Sequence, residues 1–219
     1  MNRASSRRRL AGFTLIELLA VIAIIAVLAG IMITVVGNVR NKAKEAQSLS
    51  NLRQMGSATL LYAGEHRGDL PVWLNFTTGK HWWVYLQDYA GTDPQLFHSP
   101  AHEGFDPTTH DTMIVTISYG WNYAVSGRAI GDTTKVRDHK LSVNRFDNPS
   151  RTLIIADARD NSYGYISSDT PVITGRYGDN VPSVFLDGHV SSRPSSEFLQ
   201  VTPWFDTVEA LPPDKPVAQ

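Results

Sequence analysis

The chain has 219 residues, with 20 Lys and Arg, 21 Asp and Glu, and no Cys. That length suits one domain of ordinary size, or a small domain with an appendage. A formal charge of −1 gives no general basic face, so no nucleic-acid partner is expected. The lack of Cys excludes disulfides, Cys-ligated zinc, iron–sulfur clusters and Cys nucleophiles, and 42% hydrophobic residues exclude global disorder.

The averages hide an asymmetric amino-terminal end. Residues 1–12 hold Arg3, Arg7, Arg8 and Arg9 and no acid, while residues 13–36 hold a single charge, Glu17. The apolar run from Leu18 to Val36 would make a helix of about 28 Å, close to the hydrocarbon thickness of a bilayer. The Arg-rich flank places the amino terminus in the cytoplasm and the bulk of the chain across the membrane. A secretory signal needs a shorter apolar core followed by a small-residue cleavage site, whereas Ala29-Gly30 lies inside the run. A plain signal anchor fits length and charge but has no use for Glu17. A carboxylate inside an apolar span costs a few kcal/mol and marks a function by default, on the order of 3 kcal/mol on insertion scales. A cut between Gly12 and Phe13 gives it one. The new amino group at Phe13 would be neutralised by Glu17 of a neighbouring subunit, which sets axial register as helices stack.

The segment Gly12-Phe13-Thr14-Leu15-Ile16-Glu17 resembles the type III signal of the type IV pilin and type II secretion pseudopilin superfamily. The resemblance implies that a prepilin peptidase cuts after Gly12 and N-methylates Phe13, and that Glu17 acts in assembly. It implies a filament subunit with no catalytic residues and no required cofactor. Its partners would be the prepilin peptidase, other pilin-like subunits and an inner-membrane assembly platform. It would be a single-pass inner-membrane protein with a periplasmic head. The implied fold is α+β: a long N-terminal helix, transmembrane in its first half, packed on a small antiparallel sheet.

Beyond Gly37 the positions Val39, Ala43, Ala46, Leu49, Leu52, Met55, Thr59 and Tyr62 recur every three or four residues, with charged and amide side chains between them. No Pro occurs between Phe13 and Leu70, so one helix from Phe13 to about Ala63 is expected, ended by Gly64, Gly68-Asp69 and Pro71. This divides the chain into a leader (1–12), a transmembrane or filament-core helix (13–36), an amphipathic continuation (37–63), a head (64–202) and a mobile tail (203–219). Residues 46–71 resemble a pseudopilin subfamily that usually has a Cys at or near Ser48. Further resemblances follow: Leu96–Pro100, with Ser99 in place of Cys; Ser118–Asn122; Pro149–Asp157; and Val184–Val190. The last element is normally a His-x9-Asp-Gly pattern, and here Tyr177 stands ten residues before Asp187 instead of His.

In the second half, Met113–Tyr119 and Thr152–Ile155 are β-branched and read as strands. Val181–Leu186 and His189–Val190 flank Asp187-Gly188, the signature of a two-residue hairpin turn. Segments 127–133 and 157–168 read as loops. Asp157, Asp160, Asp179 and Asp187, with Asn161 and Asn180, fall in C-terminal turns where oxygen-rich loops suit Ca²⁺. The superfamily's major pseudopilins place Ca²⁺ in such a loop, although Asp and Asn are also ordinary turn residues. His98 and His102 have helical metal-ligand spacing, but Pro100 between them opposes a helix, and His110-Asp111 reads as loop; all three are expected to be solvated. Trp73, Phe76, Trp82, Trp83, Tyr85 and Tyr89 could form a carbohydrate- or partner-binding face, with core packing as the plainer reading. Asp157, Asp187 and His189 lack any accompanying nucleophile, phosphate-loop or zinc motif. A pseudopilin of a type II secretion system is therefore the leading reading. A type IV pilus subunit for adhesion, DNA uptake or motility is the first alternative. A membrane-tethered ligand-binding or hydrolytic module is the alternative of another class.

Overall fold

The computed structural model describes residues 13–122, 125, 142–159, 163–166 and 175–199. The leader, the loop expected at 127–133 and the tail from 203 lie outside the described residues. The chain divides into two units, one up to Arg40 and one from Asn41, and helix α1 (Leu15–Glu65) contributes to both.

In the first unit α1 is apolar on every side. Its large side chains face outward, from Phe13 (75% exposed) through Leu19 and Ile25 to Val39. Its most apolar 18-residue window has a mean hydropathy of 3.0, and none of it is buried. Among the described residues this is the one helix long and apolar enough to cross a membrane.

In the second unit the same helix becomes one-sided. Leu52, Met55, Ala58, Thr59, Tyr62 and Ala63 are buried, and so are the polar Ser48 and Asn51, while Arg53, Gln54 and Ser57 stay exposed. The amphipathic stripe thus enters the core only from Ser48 onward; Val39 remains 59% exposed. The helix stops where Arg67 and Gly68 both take positive φ, at 57° and 90°. The Gly68 N–H then closes back on the Ala63 carbonyl at 2.7 Å.

A two-stranded hairpin, β1 (Leu74–Asn75) and β2 (Lys80–His81), leads into α2 (Trp82–Ala90). After a 3-10 turn at Pro94–Phe97 comes α3 (His110–Thr116). The β-branched run Met113–Thr116 was expected as strand and is helix instead. Thr109 and Thr112 cap each other reciprocally at its start, and a local cap with an N-terminal acid outweighs weak β propensity. The strand begins later, as β3 (Tyr119–Asn122). It is followed by β4 (Leu153–Asp157), β5 (Tyr165–Ile166), β6 (Asn180–Phe185), β7 (Val190–Pro194) and the short α4 (Ser195–Leu199).

The five main strands lie in the order β5-β3-β4-β6-β7. All neighbours are antiparallel except β3 and β5, so the sheet is mixed rather than wholly antiparallel. Part of the segment expected as loop at 157–168 supplies that parallel strand. It is held by two indole N–H groups on successive carbonyls: Trp73 donates to Tyr163 at 3.0 Å and Trp82 to Gly164 at 2.7 Å. All five residues of β4 are buried. Its register slips between Leu153 and Ile155. Ile154 and Ile155 therefore both join the main core with Leu52, Met55, Trp82, Trp121 and Phe97. Leu153 and Ala156 join a second cluster with Phe185 and Phe198. A strand covered on both faces carries a continuous apolar run.

The β6–β7 connection differs from the two-residue turn read at Asp187-Gly188. Phe185 and His189 close it through a 3.0 Å bond, the Gly188 N–H donates to the Phe185 carbonyl at 2.8 Å, and Gly188 has φ 86°. Leu186, Asp187 and Gly188 form a three-residue loop with glycine at its left-handed position. A two-residue turn of the expected type needs positive φ at Asp187, and that residue is not among those with positive φ. The loop lies against Gly56 of α1. A Cβ there would sit 2.7 Å from Val184 Cγ2 and 3.8 Å from the Gly188 backbone. Gly56→Ala is therefore expected to lower the unfolding free energy of the head by about 1–3 kcal/mol. Gly64→Ala, in open space within 4 Å, should be neutral or slightly stabilising. Urea titration of the full chain in detergent checks the pair.

Candidate functional site: the amino-terminal segment and a buried polar network

Phe13 and Thr14 precede the first turn of α1, which starts at Leu15. Thr14 and Glu17 embrace each other across the first turn. The Thr14 N–H and hydroxyl both donate to Glu17 Oε2, at 2.9 and 2.8 Å. The Glu17 N–H returns to Thr14 Oγ1 at 3.3 Å. This reciprocal pairing is a capping box, satisfying two backbone donors that a helix start leaves open. Sequence reasoning passed over Thr14, although Thr-Leu-Ile-Glu is the capping-box signature. The carboxylate is exposed, and among the described residues its Oε1 has no bond. It is therefore held by its own helix through one oxygen and free to take a cationic partner through the other. Gly12 lies outside the described residues.

The C-terminal acids are not gathered into one site. Asp157, at the end of β4, is fully buried. It is paired with Arg176 Nη1 and accepts the Ser99 hydroxyl at 2.7 Å. Asp179 is exposed at φ 78° and accepts the hydroxyl and N–H of Ser195. Asp187 accepts the His189 N–H at 3.1 Å and faces His189 Nδ1 at 2.6 Å. Burial pushes the Asp187 carboxyl up, but its bonds to His189 outweigh this and hold it below the usual carboxylate range. Asp160 lies outside the described residues. Among the described residues, no three His, Asp or Glu side chains converge as metal ligands would.

The histidines are less solvated than their loops suggested. His102 is only 5% exposed and meets the Ser118 hydroxyl through Nδ1 at 2.8 Å. His98 stacks on Phe105, and its Nε2 meets the His102 carbonyl at 2.7 Å. His110 opens α3 rather than lying in a loop. The aromatic stretch is mostly core: Trp82 and Trp83 are buried, and Trp73 packs against them, while Phe76 remains 51% exposed.

Around Asp157 the structure assembles a buried polar network that the sequence did not disclose. Arg176, 11% exposed in its side chain, also donates to the Ser118 carbonyl at 3.3 Å. Ser99 meets the Tyr177 hydroxyl at 2.7 Å, and Ser48 of α1 meets the Tyr119 hydroxyl at 2.9 Å. Asn51 of α1 donates to the His98 carbonyl at 3.0 Å. Burial drives the phenols of Tyr119 and Tyr177 above their ordinary range, and the negative charge of Asp157 adds to it. Both stay protonated and act as hydroxyls. Ser48, Ser99 and Tyr177 all contribute hydroxyls to this one network.

Residues 7–33 match the family model described as the prokaryotic N-terminal methylation motif. No curated protein and no solved structure matches the chain. The matched segment spans Gly12, Phe13, Thr14 and Glu17, and it supports the recognition of a prepilin-type, pilin-like chain. The α+β arrangement behind it, a long helix followed by a small sheet and a mixed sheet, is pilin-like as well. The motif points to a structural filament subunit rather than an enzyme. Motif and apolar helix together are consistent with single-pass anchoring in an inner membrane.

Removing Arg176 would leave a buried carboxylate without its counter-charge. Arg176→Met is expected to destabilise the head by about 3 kcal/mol or more, read as a fall in the urea midpoint.

Proposed function

We propose that the chain is a pseudopilin of a type II secretion system, cut after Gly12 and N-methylated on Phe13 by a prepilin peptidase. The observation that carries the reading is the methylation motif at residues 7–33 lying at the start of an apolar helix that its own chain does not bury. On this reading residues 1–12 are the leader and 13–36 the membrane and filament-core helix. Residues 37–63 continue that helix into a periplasmic head of residues 64–202. The subunit waits in the inner membrane and is drawn by an assembly platform into a helical filament with other pilin-like subunits. An apolar helix surface is exchanged between lipid and neighbouring helices at little cost, so packing and polar pairs decide assembly. Glu17 gives such a pair by neutralising the Phe13 amine of a neighbour. The chemistry is mechanical: the growing filament pushes secreted proteins outward. The Cys-free composition and the subfamily likeness of residues 46–71 and 149–190 favour this over a pilus subunit.

The test is the intact mass of the full chain from membranes with and without a prepilin peptidase. Loss of residues 1–12 and a gain of about 14 Da from one methyl group are expected only with the peptidase. An uncut chain in both would overturn the reading. Glu17→Gln should be processed yet enter filaments poorly, scored by crosslinking of subunits in the membrane. In the native host, deletion should abolish secretion of exoproteins; loss of surface pili with secretion intact would instead make it a pilus subunit.

A further inference from the structure

We propose that His81 and His110 form a two-imidazole binding site for a zinc ion. The pair joins segments 29 residues apart. His81 closes β2 at the start of α2, and His110 is the first residue of α3. Their nitrogens, His81 Nδ1 and His110 Nε2, stand 3.3 Å apart. Two imidazole nitrogens bound to zinc at about 2.0–2.1 Å with tetrahedral angles stand about 3.3–3.4 Å apart.

The two ligands are held differently, in a way that fits capture of an ion from solvent. His81 is 4% exposed. Its ring stacks on Trp83 with centroids 4.4 Å apart and planes 14° from parallel, and the Trp73 ring meets it edge-on at 6.0 Å. That sandwich fixes one ring orientation. His110 has 46% of its side chain exposed, and its backbone is set by the Thr109–Thr112 capping box. A small turn of this ring aims its Nε2, now in hydrogen-bond contact with His81 Nδ1, toward a point the two nitrogens share. Water takes the remaining positions on the open side. A zinc-bound histidine usually turns its second nitrogen toward a carboxylate, which orients the ring and raises its basicity. Here the Asp111 carboxylate lies 3.9 Å from His110 Nδ1, one short side-chain swing from that role.

The experiment is calorimetric titration of the full chain in detergent with zinc sulfate, with cobalt(II) absorption as a probe of coordination geometry. The wild type should bind one equivalent of Zn²⁺, its thermal midpoint should rise with Zn²⁺ concentration, and Co²⁺ should give the visible bands of a tetrahedral site. His110→Ala also removes a hydrogen-bond partner of His81, so its midpoint is compared with its own metal-free value, and it should lose all three signals. His189→Gln, which alters the separate Asp187–His189 pair, should keep them. Equal binding by wild type and His110→Ala, or no binding by the wild type, overturns the proposal.

Discussion

The head rests on one close approach between helix and sheet. At Gly56 the backbone of α1 comes so near the Val184 side chain that a methyl group would collide with it, with Gly188 at van der Waals distance. That proximity lets Leu52, Met55 and Thr59 reach the core, and lets Ser48 and Asn51 reach the loop around His98. The sheet answers with its own small residue. A Cβ at Gly120 of β3 would sit 2.6 Å from Ile166, so the two-residue strand β5 can lie flush alongside β3. Gly56 thus sets the helix–sheet spacing and Gly120 the β3–β5 approach, and the large residues Trp82, Trp121 and Phe97 fill what remains. A core of this kind transmits volume changes directly, because it has little free space to absorb them.

Much of this was legible in the sequence, and what was not has a physical reason. The 3.6-residue stripe gave α1 and nearly its true end, because periodicity over many turns averages out local noise. β4 and β6 were legible from β-branched runs bounded by turn residues. The helix at 110–116 was not, because a Thr–Thr cap is a weaker written signal than four β-branched residues in a row. The parallel placement of β5 depends on indole donors 90 and 82 residues earlier in the chain, which no local pattern reports. At the amino terminus, the residue types of the site were plain, yet the Thr14–Glu17 embrace was missed. A lone charge in an apolar run is a stronger written signal than a four-residue helix start.

That embrace changes the account of Glu17. A carboxylate in an apolar stretch suggested a group with no use until a neighbour arrives. The capping box gives it a partner in its own chain from the outset, so it is not an unpaired charge awaiting rescue. It also divides the labour between its oxygens, with Oε2 committed to the helix start and Oε1 open. The surrounding α1 surface presents the complementary problem. A helix apolar on every side with none of its apolar window buried must find its burial elsewhere, in lipid or against other helices. An open carboxylate oxygen at the end of such a helix is then a directional element on an otherwise non-directional surface.

The buried network in the head solves a related problem of direction. Apolar contacts between α1 and the sheet would tolerate small rotations of the helix about its axis. Hydroxyl and amide bonds do not, because a buried polar group that loses its partner costs about 1–3 kcal/mol. Ser48 to Tyr119 and Asn51 to the His98 carbonyl are both satisfied at a single rotation of residues 48–51. Ser99, Tyr177 and Arg176 then close around Asp157 from the other side. Ser48, Ser99 and Tyr177 carry hydroxyls, and hydroxyls in a dry site hold only if all their partners are present together. The network is therefore cooperative by necessity: each bond keeps its neighbours from being orphaned. It fixes helix to sheet by geometry, in a chain that has no Cys with which to do so covalently.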